Sequence, residues 1–185
     1  MPLYPLTEND LELILPWRNA PAVRKAMYTH HEISPEEHRA WFQRIRQDPR
    51  KRWYLYRNTE GTPQGVVYFT ELDFVQRTGL WGFYVKPAAK SGTGTRMEYA
   101  ALELAFGDLN LHKLNCEVLA NNMAVVNLHK KVGFIQEGLF REQHFDGTRR
   151  FDVVRLGMLA SEWQYHRDLL SARIKQLDAS ALYPE

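Results

Sequence analysis

The spacing of hydrophobic positions changes along the chain, and the changes divide it into helical and extended segments. Near the start, residues 4–6 read as a first strand, and a helix capped near Thr7 or Asn9 runs toward Trp17. A short helix follows over residues 22–28, with Pro21 at the first helical position, where a missing N–H costs nothing. The stretch ISPEEHRAWFQRIR carries a fuller start signal: Ser34 as N-cap, Pro35 at N1, and Glu37 at N3 completing a capping box. Trp41, Phe42 and Ile45 give that helix one apolar side.

From Arg52 the period shortens. RWYLYRN, GVVYFTEL and LWGFYV are rich in aromatic and β-branched residues, and the turn residues Thr59, Glu60, Gly61 and Arg77, Thr78, Gly79 separate them into an antiparallel meander. A helix over residues 95–109 comes next, then a strand, KLNCEVL, and a helix over Met123–Val132 stopped by Gly133. Two further strands, near 134–145 and 150–159, meet at Asp146 and Gly147, a hairpin signal. A polar helix over about 161–177 closes the pattern. The order predicts an α/β (α+β) chain with one mixed sheet and helices packed on it.

Composition bounds this picture. At 185 residues and 44% hydrophobic content the chain can bury one substantial core, so a single domain over 1–185 is expected. No apolar run is long enough to span a bilayer, and the N-terminus has no basic region and meets Glu8 and Asp10 early, which argues against a signal peptide or a membrane partner. Cys116 is the single cysteine, so no internal disulfide forms, as suits a cytoplasmic protein. A formal charge of +2 makes no case for nucleic acid.

The stretch VKPAAKSGTGTRMEYAALELAF hands a strand to a helix through Gly92 and Gly94. Unpaired N–H groups and the dipole at a helix start favour anions, and glycines let a ligand approach the backbone. A simple tight turn explains the two glycines equally well. The later run VLANNMAVVNLHKKVGFIQEGLFRE adds a strand, Asn122, a helix, Lys131, Gly133–Phe134 and Gly138. Together the two blocks resemble those of the GNAT (Gcn5-related) N-acetyltransferases. Gly92 and Gly94 match the acetyl-CoA loop of that family, usually Gln/Arg-x-x-Gly-x-Gly/Ala, while the Gln/Arg position falls on Ala89, with Lys90 beside it.

The resemblance implies a mostly antiparallel sheet with helices on both faces and a splay between two parallel central strands. It implies acetyl-CoA as co-substrate and no metal. The backbone of Phe83, Tyr84 and Val85 would pair with the pantetheine arm. Backbone groups of Ser91, Gly92, Thr93, Gly94, Thr95 and Arg96 would hold the pyrophosphate, with Lys90, Arg96 and Lys130 adding charge. Asn122 and Asn127 would bond the pantetheine arm, although Asn122 also suits a helix cap and Asn127 a solvated face.

Acetyl transfer to an amine needs an oxyanion donor, a base and an acid for the thiolate. Val85 N–H is the expected oxyanion donor. Where many members of the family carry an acidic Tyr, this chain has His129, either the acid or a packing residue, with Tyr84 the alternate donor. Glu117 lies within a central strand, where an unpaired carboxylate is costly unless it borders a cleft, so it is the expected base ahead of Glu71. Cys116 reads as a buried core thiol.

The N-terminal third, with Trp17-Arg18-Asn19, Met27-Tyr28, His30-His31 and Ile33-Ser34, is similar to the nucleotide-sugar N-acetyltransferases of pseudaminic acid synthesis. This implies a UDP-linked 4-amino-4,6-dideoxy sugar as the small-molecule partner, acetylated for flagellin or surface glycan. Arg18, His38, Arg46, Arg50, Lys51 and Arg52 are the anion and stacking candidates, and Met27, Tyr28, Trp41 and Trp81 would wall the 6-deoxy methyl; residues 46–52 read better as a solvated basic edge, Trp41 as a core anchor and His31 as a helix-end cap. Arg18, Met27, Tyr28 and His38 lead that set. The alternatives are a ribosomal-protein or polyamine acetyltransferase of the same fold, or a non-catalytic acyl-CoA sensor. The basic, aromatic N-terminal third counts against a polyamine. Edge strands near the C-terminus suggest a homodimer.

Overall fold

The computed structural model describes residues 2–182, with side chains as far as residue 177. The chain opens with β1 (Leu3–Pro5), a 3-10 turn (Glu8–Asp10) and α1 (Leu11–Asn19). Thr7 and Asp10 exchange the reciprocal bonds of a capping box, which fixes where the turn begins. The second helix differs from expectation. α2 spans only Pro21–Arg24, and Met27 and Tyr28 lie beyond it in a turn. Long-range contacts claim this segment: Tyr28 reaches Glu117, and Met27 packs against the core under α1.

α3 (Pro35–Gln47) starts on Ser34, whose Oγ accepts the Glu37 N–H at 3.1 Å. The return half of the expected capping box is absent, because the Glu37 carboxylate takes His31 Nε2 at 2.9 Å instead. The meander is β2 (Arg52–Arg57), β3 (Pro63–Asp73) and β4 (Thr78–Val85). α4 (Thr93–Phe106) starts two residues early, since Gly92, at φ +80°, serves as its N-cap. It also stops short of Leu109, where Gly107 N–H closes on Glu103 O. β5 (Lys113–Leu119) and α5 (Met123–Val132) match their expected bounds, and Gly133 ends α5 at φ +117°. β6 (Ile135–Phe145), β7 (Arg150–Leu159) and α6 (Ala160–Leu182) complete the chain. The β6–β7 turn is tied by Asp146 Oδ1, which accepts the N–H groups of Thr148 and Arg149 at 2.8 and 2.9 Å.

Seven strands form one sheet in the order β1-β2-β3-β4-β5-β7-β6. Every neighbouring pair is antiparallel except β4–β5. Helices cover both faces, as the sheet's two apolar sides require. On one face Leu11 and Ile14 of α1 and Phe42 and Ile45 of α3 pack on Leu55, Val66 and Tyr84. On the other, α4, α5 and α6 supply Met97, Ala101, Leu102, Val126, Trp163 and Leu170 over Phe69, Trp81, Leu114 and Cys116. Among the described residues no helix is long and apolar enough to cross a membrane.

The functional feature of this sheet lies at its centre. The parallel β4–β5 ladder runs from Thr78–Lys113 to Trp81–Cys116 and ends there. Beyond it β4 stays with β3 and β5 stays with β7, so the two strands part.

Candidate active site

The parting of β4 and β5 exposes backbone. Lys86 N–H bonds Gln64 O at 2.8 Å, so Lys86 and Tyr84 face β3, and the polar groups of Phe83 and Val85 point to the opposite side. That side is the gap. A cavity of about 270 Å³ fills it, bordered by Phe83, Tyr84, Val85, Glu117, Val118, Asn122, Val125 and His129. An extended polar chain laid in the gap would meet donors and acceptors at strand spacing.

The α4 start narrows the expectation for residues 91–96. Thr93 N–H is spent on Lys90 O at 3.2 Å and Arg96 N–H on Gly92 O at 3.1 Å. The first helical turn then leaves the Gly94 and Thr95 amides without intrahelical acceptors. Thr93 and Thr95 are buried, and the Thr93 hydroxyl turns back to Lys90 O at 2.6 Å. Lys90 and Ser91 are exposed at the mouth. Gly92 is required by its positive φ; the Arg96 guanidinium end, 2.7 Å from where a Cβ would stand, could swing aside.

Asn122 precedes α5 without making a side-chain cap bond, and it borders the gap. Asn127 is exposed and does not border the gap, while Lys130 Nζ is bonded to Gln136 at 2.8 Å. These two residues are not brought to the site, because α5 presents Val125 and His129 to the gap and turns 127 and 130 outward.

His129 is 2% exposed, within rings of Trp81, Phe83 and Phe134 at centroid distances of 5.4, 6.1 and 5.3 Å. Its Nδ1 lies 2.6 Å from Glu98 Oε1, and Glu98 is fully buried on α4. Burial alone would push the imidazole down, but the Glu98 carboxylate, and after it Cys116 beside the ring, raise it to about 10. This environment favours the protonated ring at neutral pH.

Across the gap Glu117 receives Tyr28 OH at 2.9 Å and Arg155 Nη1 at 2.8 Å. Burial first, then the Glu117 carboxylate, raises the Tyr28 phenol, which stays a donor. Glu71 sits on the β3 bulge beside Arg50 and Asp73, away from both central cavities, and is not part of the site.

A second cavity, of about 340 Å³, opens under α1 and α3. Met27, Tyr68 and Tyr84 border both cavities, so the two share a wall. Its wall is a chain of rings: His38 stacks on Trp41, Trp41 meets Trp53 edge-on, and Trp53 stacks on Tyr68, with centroids 5.0, 4.7 and 4.4 Å apart. Arg18 donates Nη2 to Thr29 O at 3.2 Å, yet Arg18 Nη1, His38 Nδ1 and Trp53 Nε1 are buried without a partner. Burial, followed by the nearby Arg18 charge, lowers His38 and keeps it neutral. Burial raises Tyr84 also, so it too stays protonated.

Of the expected acceptor residues, Arg18, Met27, Tyr28, His38 and Trp41 converge here. Trp81 does not. It is 2% exposed, on the α4 face of the sheet beside His129. Arg46, Arg50, Lys51 and Arg52 also fall outside this cavity, and Arg50 and Lys51 pair with Asp48 on the surface. Sequence reasoning missed Glu98, Trp53, Tyr68 and Arg155. Glu98 had a signal, a carboxylate on the same helix side as Ala101, Leu102 and Ala105; Trp53 and Tyr68 are cross-strand partners that only the register brings together. Among the described residues no cluster of three or more His, Cys, Asp or Glu is arranged for a metal.

A parallel pair that splays beside a glycine-started helix, with helices on both faces of the sheet, defines an acyl-CoA-dependent transferase architecture. The profile of a family described as an acetyltransferase (GNAT) domain matches residues 1–135, and the chain belongs to that family. It is an N-acetyltransferase that uses acetyl-CoA as donor. It is 25% identical to spermidine N(1)-acetyltransferase of Vibrio cholerae over 162 residues, 87% of this chain and 94% of that protein. It is 29% identical to acetyltransferase PseH of Campylobacter jejuni over 129 residues, 70% of this chain and 79% of that one. The crystal structure of the Vibrio cholerae spermidine N-acetyltransferase with CoA and spermine superposes with a TM-score of 0.81, at 25% identity, covering 88% and 96% of the two chains.

Proposed function

We propose that the protein transfers acetyl from acetyl-CoA to the 4-amino group of a UDP-linked 4-amino-4,6-dideoxy sugar, by direct attack in a ternary complex. The observation that carries this reading is Arg18, a half-buried cation whose Nη1 is buried and unpartnered in an aromatic cavity that shares a wall with the β4–β5 gap. A guanidinium with a buried, unbonded N–H group calls for an anionic or acceptor-rich group, and a sugar diphosphate supplies one. The neutral His38 and the indole N–H of Trp53 offer two further hydrogen-bonding atoms, and the rings of Trp41 and Trp53 offer stacking surface.

Similarity to the spermidine enzymes supports a polyamine acceptor as the second reading. A polyamine brings only positive charge and needs free carboxylates. In this cavity Glu37 is engaged by His31, and Arg18 and Arg44 add repulsion, while Glu117 in the neighbouring gap is engaged by Arg155. Charge therefore favours the nucleotide sugar.

In the reaction so read, the amine lone pair attacks the thioester carbon, a C–N bond forms, and the C–S bond breaks with its electron pair leaving on sulfur. Val85 N–H faces the developing oxyanion, Glu117 takes the amine proton, and His129 returns one to sulfur. Positioned groups of this kind each contribute roughly 10²–10⁴-fold. The test mixes purified protein with acetyl-CoA and either the amino-sugar nucleotide or spermidine, and follows thiol release and product mass. A one-acetyl gain on the sugar with little on spermidine is expected. Turnover of spermidine alone overturns the sugar reading; CoA binding without turnover of either amine leaves the sugar reading without support and favours another acceptor.

A further inference from the structure

Glu98 is the one fully buried charged residue among the described residues, and the acetyl-transfer reading above leaves it unused. It lies on the inward side of α4 between Met97 and the Ala101–Leu102 pair, in the apolar layer behind the β4–β5 gap. Burying a carboxylate there is costly, and an ion pair in a core is weak evidence for stability, since apolar residues of similar volume hold a fold as well or better. The only partner shown for this carboxylate is His129 Nδ1, at 2.6 Å, while Oε2 has none.

We infer that Glu98 is a positioning residue for acetyl transfer: it orients the His129 imidazole and supplies the counter-charge for its protonated form, so that Nε2 presents a proton to the departing thiolate. This rests on the reading of His129 as the acid. Three observations support it. Nδ1 is committed to Glu98, which leaves Nε2 for the gap side. Cys116 on β5 borders the same gap and, like Glu98, favours the protonated ring. The groups packed around the ring are otherwise apolar: Trp81 and Phe83 from β4 and Phe134 after α5. Glu98 on α4 and Cys116 on β5 are the titratable groups that touch it, so the charge state of the ring answers to Glu98 above all.

The device joins two helices: one brings the carboxylate and the other the imidazole, and neither alone makes an acid that works at neutral pH. An imidazole buried without a counter-charge would be neutral and would have no proton to give. After the C–S bond breaks, Nε2 donates to sulfur, the neutral ring stays bonded to Glu98, and solvent reprotonates it once CoA has left.

The test uses the full chain in three measurements. Histidine-labelled NMR, with His129 assigned by its loss in His129→Phe, is expected to show an imidazolium up to about pH 10 in the parent and a neutral ring at pH 7 in Glu98→Gln. A neutral ring in the parent at pH 7 overturns the inference without any acceptor present. In kcat against pH, measured by thiol release with whichever of the two amines turns over, Glu98→Gln should lower kcat by about 10²-fold. It should also move the alkaline limb to lower pH, and Glu98→Asp should restore part of both. In a His129→Tyr background, where the phenol carries its own proton, Glu98→Gln should cost nothing further in kcat. If His129→Phe leaves kcat unchanged, the acid reading fails and this inference with it. If His129→Phe cuts kcat but Glu98→Gln alters only thermal stability, with the pH profile unmoved, Glu98 is a packing residue and the acid reading stands alone.

Discussion

The two cavities at the centre of the molecule meet at Met27, Tyr68 and Tyr84 but are built on opposite principles. The gap between β4 and β5 offers main-chain groups of Phe83 and Val85 and the amides at the α4 start, with few polar side chains. The cavity under α1 and α3 offers side chains, including three buried, unpartnered nitrogens, Arg18 Nη1, His38 Nδ1 and Trp53 Nε1. Backbone recognition suits a donor whose repetitive amide arm and phosphates are the same in every reaction. Side-chain recognition suits an acceptor that changes from one enzyme to another.

The sharpest way to break this division is at the residue between the cavities. Glu117→Gln keeps shape and both neighbours but removes the base, so kcat should fall by about 10³-fold while acetyl-CoA binding is unchanged; Glu71→Gln should match the parent. Equal losses in both variants would remove Glu117 from its assigned place. Next comes Arg18→Met, which takes the cation from the acceptor side. A charge-assisted bond is worth about 1.5–3 kcal/mol, so kcat/KM for the sugar nucleotide should drop by roughly 10²-fold with KM for acetyl-CoA unmoved. A rise in rate with spermidine in this variant would sharpen the charge argument further.

Gly92→Ala tests the donor side alone. The positive φ forced on alanine should cost roughly 1–2 kcal/mol of stability and raise KM for acetyl-CoA, with acceptor KM unchanged. Calorimetry and initial rates separate the two effects. Below that stands a pH effect read in thermal melts. His129 is raised in the fold to about 10 from an ordinary value near 6.5, so between these pH values the native state holds more protons than the unfolded chain. Its stabilising contribution is full below about pH 6.5 and is lost as pH rises through 10; His129→Phe should flatten that part of the melting curve. The smallest effect is expected from Tyr28→Phe, which removes one hydrogen bond to Glu117 on a half-exposed side chain. A change of about 0.5–1.5 kcal/mol in transition-state binding, or a few-fold in kcat/KM, should appear only with the acceptor varied.

Much of the donor side was legible along the chain, because the signals are local. Gly92 and Gly94 next to a strand, and Gly133 after Val132, are backbone requirements written at the residue that meets them. β5 and α5 match the expected bounds for the same reason. The acceptor side was legible only as a set of residue types. Arg18 and His38 line that cavity, whereas Trp81 lies on the other face of the sheet and the basic run at 46–52 lies outside it, where a solvated edge was the other expectation. Helix α2 was overextended, since residues 25–28 have helical spacing yet are drawn off by Glu117, 89 residues away from Tyr28.

By itself, the sequence determined the element types, the glycine-marked turns and the family, because propensity, capping and positive φ act within a few residues. Only the tertiary structure decided where β4 and β5 part, which rings share a wall, and which partner each buried polar group finds. The pairing of Glu98 with His129 illustrates the reason. The two residues are 31 apart on separate helices, and their charges matter to each other only once folding removes the water between them.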